Sequence, residues 1–426
     1  MSNTRYICNG DCAHCKFVRG SEYCNDGPVE SRFAHKIDRV ITNRWFGIPI
    51  LVAVLFLVFE LTFAIGAHPQ KWIESGIDSL SFLVGSSIRP EWLSSLVADG
   101  IIRGVGAVLA FLPNIFLLFF FLSILEDSGY MARAAYLMDK LMHAIGLHGN
   151  SFIPMLLGFG CNVPAIMSAK SINNVKDRRL TMLMIPFMSC SARLPVYLLL
   201  VSAFFPRHKA LVMISIYAAG ILLSVLFAFI MKRTKYFRKG KNDDIFELPA
   251  FRVPPMREFW AHVWERCEDY LQKVTTVILA ASVIIWALEF FPMQNGAAAA
   301  QDESCLARIG QWMEPAMAPL GFDWKMNVCI LTGLPAKEAI VSTMGILYHG
   351  EEGMSLAETL RATEGFTPAA ALAFMLFVLL YFPCIATIKT LRHEIGRKWT
   401  TFSVVNSIAV AWVVAFIVFR VGSLLL

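Results

Sequence analysis

Two short stretches of the sequence combine thiols with residues that interrupt helices. The first runs from Gly158 to Ala165 and carries Cys161, and the second runs from Pro186 to Pro195 and carries Cys190. Both lie in apolar segments. Because every backbone N–H and C=O group in hydrocarbon needs a partner, irregular backbone is tolerated there only where protein buries it or where it lines a watery path. The two stretches therefore predict a pathway whose thiols can hold a soft cation.

The composition is that of a polytopic membrane protein. Of the 426 residues, 56% are hydrophobic and 16% are charged, which is far from the average of soluble domains. The net charge of +6 does not indicate nucleic-acid binding, because the basic residues form short clusters between apolar runs, where they set orientation. No apolar signal-peptide core precedes the ten cysteines, so disulfides are not expected.

Four thiols lie in the polar residues 1–31, at Cys8, Cys12, Cys15 and Cys24. Short spacings allow successive thiolates to converge on one centre, so the tail is a candidate for a zinc ion or an iron–sulfur cluster. The alternative is a tail whose thiols stay reduced and bind nothing. Basic residues from Arg32 to Arg44 precede the first apolar run and predict a cytoplasmic N-terminus.

Hydropathy predicts an all-α fold with seven crossings, at residues 45–67, 104–125, 180–205, 210–231, 274–293, 367–388 and 399–419. Residues 68–99 are expected along the outer surface, and residues 128–147 are expected to form an interfacial helix. The basic clusters at 176–179 and 232–241 belong on the cytoplasmic side. Counting the crossings between these clusters then requires residues 151–170 to enter and leave the membrane on the same side. By the same count, residues 326–348 must enter and leave the membrane from the outside.

The chain therefore divides into a tail (1–31), a first membrane half (32–231), a basic cytoplasmic linker (232–269) and a second membrane half (270–426). The two halves share short patterns. Gly160 precedes Pro164-Ala165 in one half, and Gly333 precedes Pro335-Ala336 in the other; Cys-x-Ala follows at Cys190 and again at Cys384. Two halves that enter from opposite faces, each with an interrupted segment, are typical of transporters built from inverted repeats.

Five stretches carry a resemblance to a known family: LSILEDSGYMARAA (122–135), LGFGCNVPAIMSA (157–169), LMIPFMSCSARLPVY (183–197), AKE (336–338) and PCIATI (383–388). They resemble the membrane part of the FeoB family of bacterial ferrous iron transporters, including its two Gate regions. The resemblance implies a multi-pass protein of the bacterial cytoplasmic membrane that takes up Fe²⁺ as its substrate. It also implies that the gate cysteines, here Cys161 and Cys190, take part in the iron path.

Typical members of that family begin with a GTPase domain, whose phosphate loop needs Gly-x-x-x-x-Gly-Lys-Ser/Thr. No stretch of the 426 residues has this form, so we expect no GTP site in this chain and a transporter instead of an enzyme. The expected partners are membrane lipid, a separate GTPase, small cytoplasmic Feo-type accessory proteins and further copies of the chain.

The transport path is predicted to include thiol, amide, hydroxyl and carboxylate donors, at Cys161, Asn162, Ser189, Cys190, Glu338 and Cys384. Fe²⁺ accepts all of these, and site geometry has to provide its selection. The residues expected to support the broken backbone are Gly158, Gly160, Pro164, Arg193, Pro195, Pro335 and Lys337. Arg193 either braces unwound carbonyls or repels stray cations. The plain alternative for the thiols is that free cysteines are buried small hydrophobes.

Two other functions remain open on the sequence. The first is transport of another substrate, either Mn²⁺, Zn²⁺ or a nucleoside, because Gate-type segments also resemble those of nucleoside-recognising membrane proteins. The second is a membrane subunit that does not transport and instead senses iron or redox state through its cysteine-rich tail.

Overall fold

The computed structural model of the protein describes residues 16–18, 21–23, 41, 44–234, 236–237, 256–291, 293–294, 297–298, 304–348, 355–363, 365–381 and 383–425. Helices dominate these residues, which confirms the all-α class. The described strands are short and form two hairpins, β1 (Lys16–Val18) with β2 (Ser21–Tyr23) and β3 (Met293–Gln294) with β4 (Ala297–Ala298).

The chain enters the helical body through a long antiparallel pair. The first helix, α1 (Arg44–Ser87), has 44 residues. It is followed by α2 (Glu91–Ser95), by a π-helical stretch (Leu96–Ile102) and by α3 (Arg103–Asp127). Residues 68–99 are predicted along the outer surface; in the structure, residues 68–87 continue α1 and pack against the returning segment, so they are not separate from the first predicted crossing.

Close backbone approach explains why α1 continues beyond its apolar run. A Cβ atom added at Gly106 would lie 2.5 Å from the Cγ2 atom of Ile77, so this glycine lets the two helices meet. Ser94 Oγ donates a hydrogen bond to the Gly85 carbonyl at 2.7 Å. Packing therefore supports the helix in a region where the polar side chains lower the hydropathy.

The segment predicted as an interfacial helix forms α4 (Tyr130–Ala144), which is amphipathic and buries Tyr130, Arg133, Ala134, Ala135 and Met142. The guanidinium of Arg133 donates a hydrogen bond to the Gly129 carbonyl at 2.9 Å. An arginine inside this helix is thereby tied to the backbone that begins it.

The first re-entrant segment is a pair of short helices, α5 (Phe152–Leu157) and α6 (Asn162–Ser168), joined by unwound residues. Both ends of this first hairpin lie at the same face of the protein. His148, just before it, lies 3.4 Å from Asp177, which in turn lies 3.6 Å from Lys232. Lys170, just after it, pairs with Glu394 at 2.9 Å. These five residues mark what we call the first face.

The second hairpin is α12 (Trp324–Thr332) and α13 (Ala339–Leu347). Its ends also meet, because the Tyr348 hydroxyl donates to Asp323 at 3.0 Å and Lys325 Nζ donates to the Leu347 carbonyl at 3.1 Å. The prediction of two segments that enter and leave on one side is therefore confirmed.

The two hairpins enter from opposite faces. The helices α7 (Val175–Met184) and α8 (Leu194–Phe204) lead away from the first face. At the far end, Phe204 stacks on Phe366 with ring centroids 5.1 Å apart, and Phe366 contacts Tyr348 at 5.9 Å. This second face, marked by Phe204, Asp323, Tyr348 and Phe366, therefore holds both ends of the second hairpin.

Each hairpin is accompanied by a crossing that is itself broken. Residues 180–205 are predicted as one crossing, and the structure interrupts them between α7 and α8. Residues 367–388 are likewise divided between α15 (Pro368–Leu380) and α16 (Ile385–Leu425). The predicted last crossing at 399–419 is part of α16, which is kinked at Gly396 with φ 82°.

The remaining helices complete the bundle: α9 (Lys209–Arg233), α10 (Met256–Phe290), α11 (Cys305–Met317) and α14 (Leu356–Ala362). Within the described residues, five helical segments are long and apolar enough to cross a membrane. The helix α10 begins at Met256, inside the segment 232–269 predicted as a linker.

Candidate functional site

A cavity of about 150 Å³ lies between the two hairpins and the two broken crossings. The predicted path residues that line it are Cys161, Asn162, Cys190, Glu338 and Cys384. Three thiols, an amide and a carboxylate from separate parts of the sequence therefore face one space. Ser189 is the exception, because it is buried and its hydroxyl donates to the Tyr197 hydroxyl at 3.4 Å.

The unwound residues of the first hairpin are held by the neighbouring broken crossing. The Gly160 carbonyl accepts hydrogen bonds from the Ser191 backbone N–H at 3.2 Å and from the Ser191 hydroxyl at 3.0 Å. A Cβ atom at Gly160 would overlap the ring of Phe59, so any larger residue here forces that ring to move. Cys161 follows in an extended conformation, with φ −150° and ψ 132°.

The second hairpin repeats this arrangement. The Leu334 carbonyl accepts a hydrogen bond from the Ile385 backbone N–H at 3.1 Å. When Gly160 is matched with Leu334 and Ser191 with Ile385, Ala165-Ile166 falls on Ala339-Ile340 and Cys190 falls on Cys384. The same bond at matching positions supports the interpretation of two inverted repeats.

Arg193 braces the unwound backbone. Its side chain is fully buried, and its guanidinium donates to the Met188 carbonyl at 3.0 Å. Of the two roles predicted for this arginine, the contact supports the bracing one. Pro195 follows in the first turn of α8, where a missing N–H group leaves no hydrogen bond broken.

A second basic side chain lies beside the cavity. Lys337 is buried, and its Nζ atom lies 3.3 Å from the centroid of the Tyr381 ring, which is a cation–π contact. Tyr381 in turn donates its hydroxyl to the Ile330 carbonyl at 3.4 Å. Glu338 lines the same cavity as Lys337, so an acidic and a basic side chain are both brought to the thiols.

Two buried amide oxygens at this cavity have no hydrogen-bond partner in the described structure, Asn162 Oδ1 and Asn114 Oδ1. Buried polar atoms are almost always paired, so two such acceptors at one cavity indicate a place for water or a cation. The Nδ2 group of Asn114 donates to Gln70 at 2.7 Å, which fixes the orientation of the amide.

The thiol cavity is not a closed metal site. No three of the cavity thiols and Glu338 have ligand atoms that all lie within 4.8 Å of one another. Among the described residues, the group that meets this limit is Asp139, His143 and His148, which lie elsewhere. Open spacing suits a path, because conduction requires binding weak enough for an ion to leave.

A larger cavity of about 340 Å³ lies on the other side of the first hairpin. It is lined by Glu126, Met131, Pro164, Met167 and Lys170, among others. Pro164, predicted as gate support, borders this space, whereas its neighbour Val163 borders the thiol cavity. The helix α6 thus separates the two spaces.

Sequence reasoning missed three contributors to the site, Asn114, Tyr381 and Thr387. The Thr387 hydroxyl lies 3.2 Å from the Cys384 sulfur, and Thr387 is buried. A polar residue next to Pro113 was a signal for Asn114, and Thr387 lies in the stretch 383–388 that carries the family resemblance. Tyr381 lies in an apolar run that marks no function. The tail cysteines Cys8, Cys12, Cys15 and Cys24 lie outside the described residues.

Comparison with known proteins agrees with this architecture. The Gate family, described as nucleoside recognition, matches residues 108–204 and 271–398, and the family described as ferrous iron transport protein B C terminus matches residues 213–266. No solved structure matches the chain.

Several curated relatives are similar over most of the chain. A Fe(2+) transport protein A/Fe(2+) transporter FeoB fusion protein of Porphyromonas gingivalis is 43% identical, over 91% of this chain and 51% of its own length. The Fe(2+) transporter FeoB of Staphylococcus aureus is 42% identical, over 92% and 60%. That of Campylobacter jejuni is 40% identical, over 93% and 67%. The chain thus spans about half to two thirds of these relatives, and it belongs to the FeoB family.

Proposed function

We propose that this chain forms the membrane path of a ferrous iron transporter, and that Fe²⁺ passes through the thiol cavity between the two hairpins. The relatives in Staphylococcus aureus and Campylobacter jejuni are Fe(2+) transporters by name. The observation that carries the proposal is the meeting of Cys161, Cys190, Cys384 and Glu338 at one buried space between two broken hairpins.

The donors of the cavity suit an ion that has lost part of its water shell. Fe²⁺ accepts thiolate and oxygen ligands, and the unpaired amide oxygens of Asn114 and Asn162 add neutral oxygen donors. Zn²⁺ shares much of this chemistry, so ion selection has to come from geometry. A nucleoside is less well accommodated, because the cavity of about 150 Å³ is smaller than the roughly 300 to 1,000 Å³ of ordinary ligand pockets.

Two basic side chains, Lys337 and Arg193, line the cavity and are proposed to limit how tightly it holds an ion. In their charged forms they repel a divalent cation, which counteracts the attraction of thiolates and Glu338 and allows the ion to leave. The larger cavity with Glu126 at its wall is then a vestibule on the first-face side of α6.

The first face is proposed to be cytoplasmic, in the bacterial inner membrane. It carries Lys170, Lys232 and the basic residues 176, 178 and 179, and positive charge beside spans favours the cytoplasmic side. On this assignment the N-terminus is cytoplasmic too, since α1 begins at the first face and crosses away from that face.

Coupling to nucleotide is proposed to come from a GTPase outside these 426 residues, whether on the same polypeptide or on another. The phosphate-loop pattern does not occur in them. A small Feo-type accessory protein is a second proposed partner, because the Porphyromonas gingivalis relative is named as a fusion with Fe(2+) transport protein A.

The experiment compares Fe²⁺ binding and uptake in matched cysteine variants. Purified protein in lipid nanodiscs is titrated with Fe²⁺ without oxygen, and proteoliposomes are tested for uptake down an imposed Fe²⁺ gradient, with Mn²⁺, Zn²⁺ and a nucleoside as competing substrates. We expect Cys161→Ser and Cys384→Ser to weaken Fe²⁺ binding at least about tenfold, since loss of an outer-shell partner alone costs that much.

The matched control is Cys329→Ser, because Cys329 is a fully buried thiol of the second hairpin that does not line the cavity. If Cys329→Ser weakens Fe²⁺ binding as much as the two cavity variants do, the thiols act through packing and the proposed path is wrong. If the protein binds and takes up the nucleoside but not Fe²⁺, the nucleoside is favoured as the substrate class.

The tail cysteines are proposed to form a zinc or iron–sulfur centre. These four cysteines lie outside the residues that the structure describes. In the sequence, Cys15 directly precedes β1 and Cys24 directly follows β2. Metal analysis of protein purified without oxygen decides the matter: bound metal lost in Cys8→Ser and Cys12→Ser supports a centre, and absence of metal from the unaltered protein removes it.

A further inference from the structure

A group of metal-ligand side chains lies at the first face, apart from both cavities. Asp139 and His143 are in the last turns of α4, and His148 precedes the 3-10 turn Gly149–Ser151 that leads into the first hairpin. One ligand atom from each of the three residues lies within 4.8 Å of the others. The two imidazole rings meet edge to face, with centroids 5.3 Å apart.

Local structure explains how the three side chains converge. Asp139 and His143 are four residues apart on a helix and therefore share a face. Gly146 then takes a left-handed conformation with φ 80°, which turns the chain back toward that face. The Gly149 backbone N–H donates to Asp139 Oδ1 at 2.8 Å, so the loop with His148 is fastened to the helix.

In each imidazole, one nitrogen lies close to an oxygen atom of the protein. His143 Nδ1 lies 3.0 Å from the Asp139 backbone carbonyl and 3.2 Å from Asp139 Oδ1, and His148 Nε2 faces Asp177 Oδ2 at 3.4 Å without a hydrogen bond between them. The Asp177 side chain is only 7% exposed. In metal sites a ligating histidine donates its second N–H to a carboxylate or carbonyl, which fixes the tautomer and orients the ring. His143 has such an acceptor in the Asp139 carbonyl, and the Asp177 carboxylate lies where it can accept from His148.

We propose that Asp139, His143 and His148 form a binding site for a divalent transition-metal ion, to which each side chain offers one ligand atom. Two imidazoles and one carboxylate suit Fe²⁺, Co²⁺, Ni²⁺ and Zn²⁺, whereas Ca²⁺ and Mg²⁺ take oxygen ligands. Asp177 is a positioning residue that holds the His148 ring.

The position of this site gives a bound ion a structural consequence. It joins α4 to the start of the first hairpin, and through Asp177 it joins both to α7, so that the base of the hairpin is cross-linked. The side chains of Asp139 and His143 are 35% and 45% exposed, which leaves room for water ligands and for exchange with the surrounding solution. The site does not depend on the proposed transport function.

Co²⁺ binding to the full chain in detergent tests the proposal, because cobalt distinguishes this site from the cysteines. A nitrogen and oxygen site gives weak ligand-field bands in the visible, whereas bound thiolate adds an intense sulfur-to-cobalt charge-transfer band. We expect a sulfur-free Co²⁺ signal in the unaltered protein. His143→Ala, whose side chain is half exposed and not needed for packing, is expected to remove it, and Asp177→Asn is expected to weaken Co²⁺ binding about 10- to 100-fold.

His393→Ala is the matched control, because His393 is exposed at the same face beside Glu394. It should retain the sulfur-free signal. Circular dichroism and gel filtration establish that each variant is folded before it is compared. A sulfur-free signal that persists in both His143→Ala and Asp139→Asn, or its absence from the unaltered protein, overturns the proposal.

Discussion

The two hairpins share one backbone arrangement and differ in the side chains they bring to the cavity. In each, a carbonyl of the unwound segment accepts a hydrogen bond from the residue after a cysteine, Ser191 in one half and Ile385 in the other. The first hairpin adds a thiol and an amide, at Cys161 and Asn162. The second has Pro335 where the first has Cys161, and it adds Lys337 and Glu338 instead.

This difference suggests a division of labour between the repeats. The shared hydrogen bond preserves the broken backbone that a membrane path needs, and it places no demand on side chains in the second half, because both partners are main-chain groups. The side chains were therefore free to diverge. On our proposal the first hairpin supplies ligands for the ion, and the second supplies charges that adjust how strongly the ion is held.

Enlarging Gly160 is expected to have the largest effect on the comparison. Gly160→Leu gives the first hairpin the residue that the second hairpin has at the matching position, Leu334. Because a Cβ atom at Gly160 would lie 2.4 Å from the Phe59 ring, we expect overpacking to lower stability by about 1 to 3 kcal/mol. The measurement is the thermal unfolding midpoint in detergent.

The control for this variant is Gly76→Leu, because a Cβ atom at Gly76 of α1 meets nothing within 4 Å. If the unfolding midpoint falls equally in both variants, the loss of stability comes from leucine in place of glycine at any position. Close packing at Gly160 would then not distinguish the first hairpin from the second.

Removing the positive charge of the second hairpin should act on binding more than on folding. We expect Lys337→Met to tighten Fe²⁺ binding about tenfold, equal to about 1.4 kcal/mol, because a repelling charge leaves the cavity. Uptake down a gradient should slow, since the ion leaves more slowly. The control is Lys209→Met, which removes an exposed lysine at the start of α9 that lines neither cavity. Weaker Fe²⁺ binding in Lys337→Met would contradict the proposed role.

The smallest effect is expected at the hydroxyl of Ser191, which gives the first hairpin one hydrogen bond more than the second has. Ser191→Ala removes this bond to the Gly160 carbonyl and keeps the backbone bond, so we expect a loss of about 1 kcal/mol of unfolding free energy. Ile385→Ser, at the matching position, tests whether the second hairpin gains by the reverse change. No difference between Ser191→Ala and the unaltered protein would show that the backbone bond alone holds the segment.

The two hairpins could be predicted from sequence, because charged loops can be read directly and the number of crossings between two cytoplasmic loops must be even. The basic cluster at 176–179 and the charges after residue 388 already required two segments that do not cross. The length of α1 could not be predicted in this way. Its residues 68–87 are polar enough to resemble a surface segment, and their helical state depends on contacts with α3 that hydropathy does not record.

Contacts between side chains that are distant in the sequence could not be predicted either. The thiols were found because cysteine next to Gly and Pro is unusual in an apolar run. The place of Tyr381 under Lys337, the unpaired amide of Asn114 and the meeting of His143 with His148 arise from packing between elements. Pro113 marked the neighbourhood of Asn114, but no spacing in the sequence indicated any of these contacts.

Labelling of engineered cysteines from one side of the membrane tests the opposed hairpins most directly. In a cysteine-free background, His143→Cys and Lys170→Cys flank the first hairpin, and Trp312→Cys and Ser355→Cys flank the second; all four positions are exposed. An impermeant maleimide added to sealed vesicles of known orientation should modify the first two positions from one side and the last two from the other. Modification of the two flanks of either hairpin from opposite sides would contradict the account.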